Sequence, residues 1–325
     1  MGEAKKRANG AVITHSEPMI VDNPGGRIHV QWDQDASATP NGQLSFFTEF
    51  LHTAGLYEAC VQDCPLHFTS PNAPTKYDVL GTLLLSILAG HNRYSHITAL
   101  RCDGVSPDVL KMNKIISIHA MRRGLGRIES SASEVWLKAH IMRSLSTALN
   151  TPWILEIDTT IKVLYGHQQG AEVGYNLHKL GRPSHALHTY WFGNFRMVLV
   201  QAIAQLYRDR ADCENGFDEL KIKWSWGGFS TQDIERSQTS ARSVALIYNW
   251  RSWYCRAAKP DGRIEAITSR PLLLAGVGRV VNTRDSARYF DPHACRKPEL
   301  KRPDCQYHAG IIVCKSDCGA VANAS

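Results

Sequence analysis

Two places in the chain gather residues whose types and spacing could do chemistry. The first is Asp158, within the run Leu155–Thr160. A carboxylate closing an apolar, β-branched stretch is costly to bury unpaired. Asp158 is therefore ion-paired, hydrogen-bonded to nearby loop groups, or a metal ligand. Strand alternation puts Glu156 on the same face. The plainer alternative is a strand-end carboxylate capping its turn through Thr159 or Thr160. The second place is Tyr207–Trp224, a proline-free stretch of helix-forming composition. At about 100° per residue, Tyr207, Arg210, Glu214 and Lys221 fall within a stripe roughly 60° wide, with Asp218 beside them. One helix face then carries a phenol, two cations and a carboxylate. The plainer alternative there is an exposed face laced by ion pairs such as Arg210 with Glu214.

Elements must hold these groups in place. The chain has 325 residues, 43% hydrophobic and 21% charged, a globular composition, with length for about two domains. Residues 1–40 are rich in Gly, Pro, Asp and Asn and predict an extended arm. Helical patterns fill 41–150. They are Leu44–Leu56; Lys76–Leu100, as one long or broken buried helix; Ser106–Ile128; and Ser131–Asn150. The third opens on a Ser cap with Pro107 in its first turn and ends in Arg122, Arg123 and Arg127. The fourth has Ser131 and Glu134 at capping-box spacing. A buried strand follows over Pro152–Gly166, then a polar glycine-rich loop and a second strand over about 188–200. Helix returns from about 202 to 258. Residues 151–290 read as an α/β core and 291–325 as an irregular tail, giving an α/β fold with helical additions. Trp224, Trp226 and Trp250 are expected in the core.

The net charge of +7 leans toward polyanions. The longest apolar run, Val79–Ala89, falls short of the about 20 residues of a membrane span. The basic first residues lead into no apolar signal core. A bacterial cytoplasmic protein with no membrane partner is expected. The nine cysteines are odd in number and scattered, as in a reducing compartment. Cys295, Cys305, Cys314 and Cys318, with His293 and His308 nearby, lack the two short knuckles of a zinc module. A solvated tail is expected there instead of zinc. His178, His185 and His188 read as polar loop residues. Cys213 lacks an activating base, and Arg122–Arg127 lacks the context of a phosphate loop.

Tyr207, Arg210, Glu214 and Lys221 match, at every spacing, the Y-x2-R-x3-E-x6-K signature of a large group of bacterial insertion-sequence transposases. The surrounding LYRDRADCENGFDELK, WGGFSTQDI, VALIYNW and EAITSRPLLL resemble the same group. So does the block from Glu156 to Val200, and the resemblance runs roughly from Gln43 to Arg279. It implies an RNase H-like core whose three carboxylates hold two divalent cations, Mg²⁺ or Mn²⁺. One cation activates water or a 3′-hydroxyl and the other stabilises the leaving oxygen. Carried onto this chain, Asp158 and Glu214 are catalytic metal ligands. Tyr207, Arg210 and Lys221 grip DNA phosphates through charge-assisted hydrogen bonds. The implied partner is double-stranded DNA bearing terminal inverted repeats, met at the nucleoid. Arg122, Arg123 and Arg127 add a basic stretch to a helical DNA-binding domain over 41–150.

One departure is decisive for activity. Between Asp158 and Glu214 the only aspartates are Asp209 and Asp212. Both belong to the signature helix and lie off its stripe. The second Asp, the fourth strand and the insertion region are missing, as from an internal deletion with its junction near Val198–Ala202. The expectation is a DDE-type transposase with an incomplete RNase H-like core and little or no strand transfer. The alternative is a non-catalytic DNA-binding remnant, or an inhibitor that pairs with itself or a full-length copy. The stretch after about Tyr289 does not resemble the family, as a shifted reading frame would explain.

Overall fold

A computed structural model describes residues 19–24, 26–30, 38–145, 153–163, 171–174, 180–194, 216, 218–226, 228–229, 231, 233–259, 264–282, 288–293, 305–308 and 311–314. Helices dominate the described residues, with small antiparallel sheets beside them. The mixed α/β class holds in that coarse sense.

Apolar spacing builds the first helices. α1 (Leu44–Thr53) buries Leu44, Phe47, Phe50 and Leu51, a three-and-four repeat that makes one stripe. α2 (Leu56–Asp63) follows directly. α3 (Lys76–Leu88) is buried on every side from Asp78 to Leu88, so its apolar run marks a central helix and not a membrane span. Among the described residues no helix is long and apolar enough to cross a membrane. The expected span Lys76–Leu100 is broken. After α3 come a 3₁₀ turn (Tyr94–His96) and α4 (Ile97–Leu100).

The expected helix Ser106–Ile128 is also two helices, α5 (Ser106–Val109) and α6 (Ile118–Leu125). The break has a physical cause. The Asp78 carboxylate accepts from the amides of Asn113 (2.6 Å) and Lys114 (3.1 Å), and the Thr82 hydroxyl from that of Ile116 (3.1 Å). These amides bond to α3 and are not available to a helix of their own. Ser106 is not a cap. Val105 holds that position without a side-chain bond, and the Ser106 hydroxyl donates to Asp103 at 2.6 Å. The working capping box is Thr75 with Asp78 at the head of α3. α7 (Ser130–Leu145) begins before Ser131, and its Glu134 pairs with Arg242 at 3.3 Å.

α8 (Ile234–Ala258) and α9 (Ala266–Leu273) complete the helical body. A single buried cluster joins residues of α1–α4, α6 and α7 to Leu220, Trp224, Trp226, Phe229, the inner face of α8 and Ala266 of α9. Each fully buried Leu, Phe or Ile contributes about 1.5–3 kcal/mol. Polar pairs pin α8 to its neighbours: Tyr94 with Ser240 and Ser133 with Thr239, each at 2.8 Å. Trp224, Trp226 and Trp250 are core residues, as expected.

The strands form separate small sheets. β1 (Met19–Asn23) and β2 (Gly26–Val30) make a hairpin inside the expected arm. β3 (Ala38–Thr39) lies within one three-stranded sheet, and β4 (Trp153–Val163), β5 (Glu172–Val173) and β6 (Pro183–Asn194) make another in the order β4-β6-β5. Asp158 stands opposite Thr189 and Glu156 opposite Trp191 in the β4–β6 register. The second strand begins before the expected 188, its pairing reaching back to Pro183, and 195–200 lie outside the described residues. β7 (Val277–Asn282) sits between β3 and β8 (Arg288–His293). β9 (Cys305–His308) pairs with β10 (Ile311–Cys314), with Cys305 opposite Cys314.

Candidate nucleic-acid interface

A cleft of about 790 Å³ opens where α6, the 3₁₀ turn and the segment around Lys221 meet. One wall is the stretch Asn92–Ser95. A second is the start of α6, with Ile118, His119 and Arg122. The third comes from Lys221, Ile222, Ser225 and Gly228. Arg93, Arg122 and Lys221 are cations from three separate segments, with the imidazole of His119 among them. Among the described residues no carboxylate lines the cleft. Cations brought from three segments to one hollow make it attractive to anions, and a phosphate is a common biological anion that such groups bind.

Local structure explains how each group arrives. Ser117 caps α6 by accepting from the Ala120 amide at 3.3 Å, which starts the helix that carries Arg122. The Arg122 guanidinium lies 5.5 Å from the centre of the Tyr94 ring. Tyr94 is itself buried, hydrogen-bonded to Ser240 and edge-on to Phe229, so the platform is rigid. Burial raises the Tyr94 hydroxyl above its ordinary range, only partly offset by the Ser240 bond and by Arg236 and Arg122. It remains a neutral phenol.

Lys221 rides on a π-helical segment, Glu219–Lys223, in which the Trp224 amide reaches back to the Glu219 carbonyl at 3.1 Å. Single π turns of this kind are frequent at functional sites. The 100° step used to place Lys221 on the signature stripe does not carry through this segment. Its placement comes from what lies beneath it. Glu219 is 5% exposed, and its side chain accepts from the Ala266 amide (2.8 Å) and the Trp224 indole (3.2 Å). Arg251, equally buried, stands 3.5 Å from the same carboxylate and donates to Ser269 and to the Ile264 carbonyl. The Arg251 and Arg270 guanidiniums lie 5.5 and 4.6 Å from the Trp224 ring centre. Burial, with Arg251 beside it, lowers Arg270 to about 10 against the pull of Glu219, and it stays protonated at neutral pH.

The turn after Trp224 closes the cleft. Ser225 and Phe229 both have φ in the left-handed region, at 56° and 52°. A bulky residue there is strained unless its surroundings hold it. Phe229 is held by burial and by its amide, which donates to the Asn92 carbonyl at 2.8 Å. At Gly228 a Cβ would meet the carbonyls of Asn92 and Ser225 at 2.8 Å, so this close approach requires glycine.

The sequence-predicted residues divide accordingly. Arg122 and Lys221 share the cleft. Arg123 is exposed on α6 beside it, and Arg127 is exposed with its guanidinium 5.4 Å from the Phe68 ring centre. The basic stretch is therefore not one face. Asp158 occupies the middle of β4. Tyr207, Arg210, Glu214, Cys213, His178, the junction at 198–202, Cys295 and Cys318 lie outside the described residues. Among the described residues no group of three or more His, Cys, Asp or Glu is placed to hold a metal. Sequence reasoning missed Arg93, His119 and the Glu219 knot. Arg93 and His119 left no periodic signal, and Glu219 looks like any helical glutamate until its buried partners are seen. Compared with family models, with curated proteins and with solved structures, the chain finds no match.

Proposed function

We propose that the chain is a DDE-type insertion-sequence transposase by descent that grips the phosphate backbone of DNA and carries out little or no strand transfer. The observation that supports this reading most directly is the meeting of Arg122 and Lys221, far apart in sequence, with Arg93 in one cleft. In this reading β4 and β6 are part of an incomplete RNase H-like core. Asp158 and Glu214 are what remains of a carboxylate set for two Mg²⁺ or Mn²⁺ ions. The ions would activate the attacking oxygen and stabilise the leaving one. With the second Asp missing, two cations would share too few ligands. Binding, not cutting, is the activity left to a bacterial, nucleoid-located protein.

The test uses the purified chain and a terminal-repeat duplex taken from the flanking DNA. Binding should weaken steeply with salt, since each neutralised phosphate adds about −0.9 to the slope of log K against log salt. The substitutions Arg122→Ala and Lys221→Ala should each reduce that slope by about one. Strand nicking with Mg²⁺ or Mn²⁺ that vanishes in Asp158→Ala would overturn the inactive reading. Salt-independent or absent DNA binding would overturn the phosphate grip.

A further inference from the structure

Arg270 lies outside the cleft yet touches the backbone of two segments that lead into its walls. Its Nε donates to the Leu88 carbonyl at 3.0 Å, and its Nη2 donates to the Lys223 carbonyl. Leu88 ends α3, and the chain runs from it into the wall Asn92–Ser95. Lys223 ends the π-helical segment that carries Lys221 and Ile222. Carbonyls at helix C-termini lack intrahelical donors and carry partial negative charge. One planar guanidinium therefore satisfies both ends and fixes their separation.

The surroundings leave this fork little freedom. Its face packs on Trp224, which is fully buried. Gly90, with φ of +75°, lets the chain turn over it, and a Cβ there would meet Arg270 Cζ at 2.9 Å. The other end of the π-helical segment is held by Glu219 through Ala266 and Arg251. On the far side of the cleft, the Phe229 amide ties the turn to Asn92. The segment bearing Lys221 is thus anchored at both ends, and at its C-terminal end the link to α3 is Arg270.

We propose that Arg270 is a positioning residue for the cleft. By bridging the Leu88 and Lys223 carbonyls it sets where Lys221 stands relative to Arg93 and Arg122, so that the three cations act on one stretch of backbone phosphate. This rests on the phosphate-binding reading above. A lysine cannot replace it fully, because an ammonium lacks the rigid fork that serves two carbonyls at once.

The experiment is a cycle of four full-length proteins: wild type, Lys221→Ala, Arg270→Gln and the double variant. Each is titrated with a fluorescent short DNA duplex, and hydrogen exchange is measured over residues 219–226. Lys221→Ala should weaken binding about tenfold in the wild-type background, the loss of one charge-assisted contact. In the Arg270→Gln background the same change should weaken it by less than about twofold, because Lys221 is already misplaced. Exchange over 219–226 should quicken in Arg270→Gln while α8 keeps its protection. Equal losses from Lys221→Ala in both backgrounds would overturn the proposal. So would wild-type exchange over 219–226 in Arg270→Gln, whatever the DNA result. If Lys221→Ala leaves wild-type binding unchanged, the phosphate reading falls, and the exchange result still decides whether Arg270 positions the segment. Should Arg270→Gln fail to fold, Arg270→Lys carries the same cycle. It keeps the charge and one carbonyl contact, and should give intermediate coupling and intermediate exchange. Wild-type behaviour in both readouts would overturn the role of the fork.

Discussion

Asp78 and Glu219 are both buried carboxylates, but they are satisfied by different chemistry. Asp78, beneath the α5–α6 loop, is surrounded by neutral donors: the amides of Thr75, Asn113 and Lys114 and the Asn113 side chain. Burial alone would raise its pKa, yet these bonds outweigh burial and hold it below the usual carboxylate range. Glu219, beneath the cleft, faces the buried Arg251 and has the second cation Arg270 close by. Removing Asp78 orphans amides. Removing Glu219 leaves cations buried with less compensation. The neutral knot shapes a loop; the ionic knot holds the segment that carries Lys221 to the cleft.

The largest predicted effect follows from that contrast. Glu219→Ala should destabilise the fold by about 3–5 kcal/mol in urea unfolding, the usual result of breaking a buried ion pair from one side. Replacing Arg251 with Met in the same chain should recover a good part of it. A loss for Glu219→Ala no greater than that for Asp78→Ala would break the comparison.

Asp78→Ala comes next, at about 2–4 kcal/mol, from the lost cap of α3 and the unsatisfied loop amides. Asp78→Asn should lose less, since it keeps one acceptor oxygen.

The pH dependence is smaller at each step. His91 and His140 are both lowered below 6.5, chiefly by burial, with Asp63 opposing the shift at His140. The unfolded chain then binds protons first, and stability should begin to fall as pH drops below about 6.5. Asp78 and Asp103 are lowered below 3.8, their hydrogen bonds outweighing burial. Their contribution is present above 3.8 and disappears as pH falls through the folded values. Urea midpoints should show a shallow decline and then a steeper one, and Asp78→Asn should flatten the second alone.

Arg122→Ala should be the mildest for stability, within about 1 kcal/mol, the value of its stacking on Tyr94. Its larger effect should fall on the proposed DNA binding. A cost near that of Glu219→Ala would mean the cleft's cations are structural.

Much of the helical body was legible because burial imposes a period. The repeat in α1 and the continuous apolar run of α3 reflect one-sided and complete burial directly. What was not legible depends on partners distant in sequence. Nothing in Ser106–Ile128 tells that Asp78 will take the amides of Asn113 and Lys114. Serine at 106 or 131 looks like a cap until Asp103 claims one hydroxyl and α7 starts before the other. The Thr75–Asp78 pair did have a readable spacing. At the candidate site, Arg122 and Lys221 could be singled out by residue type and resemblance. Their meeting could not, because it depends on a π-helical segment, two strained turn residues and a guanidinium between carbonyls.

The shared core of α1–α7 and α8–α9 also bears on synthesis. The first seven helices leave the ribosome with Tyr94, Ser133 and the apolar face of α7 still waiting for α8. At about 5–20 residues per second, the intervening chain takes on the order of ten seconds to appear. Through that interval the nascent body exposes a groove shaped for a helix it does not yet have, and a chaperone that binds apolar surface has its opening there. Slowing translation across residues 153–233 should lengthen that exposure, and speeding it should raise the soluble yield.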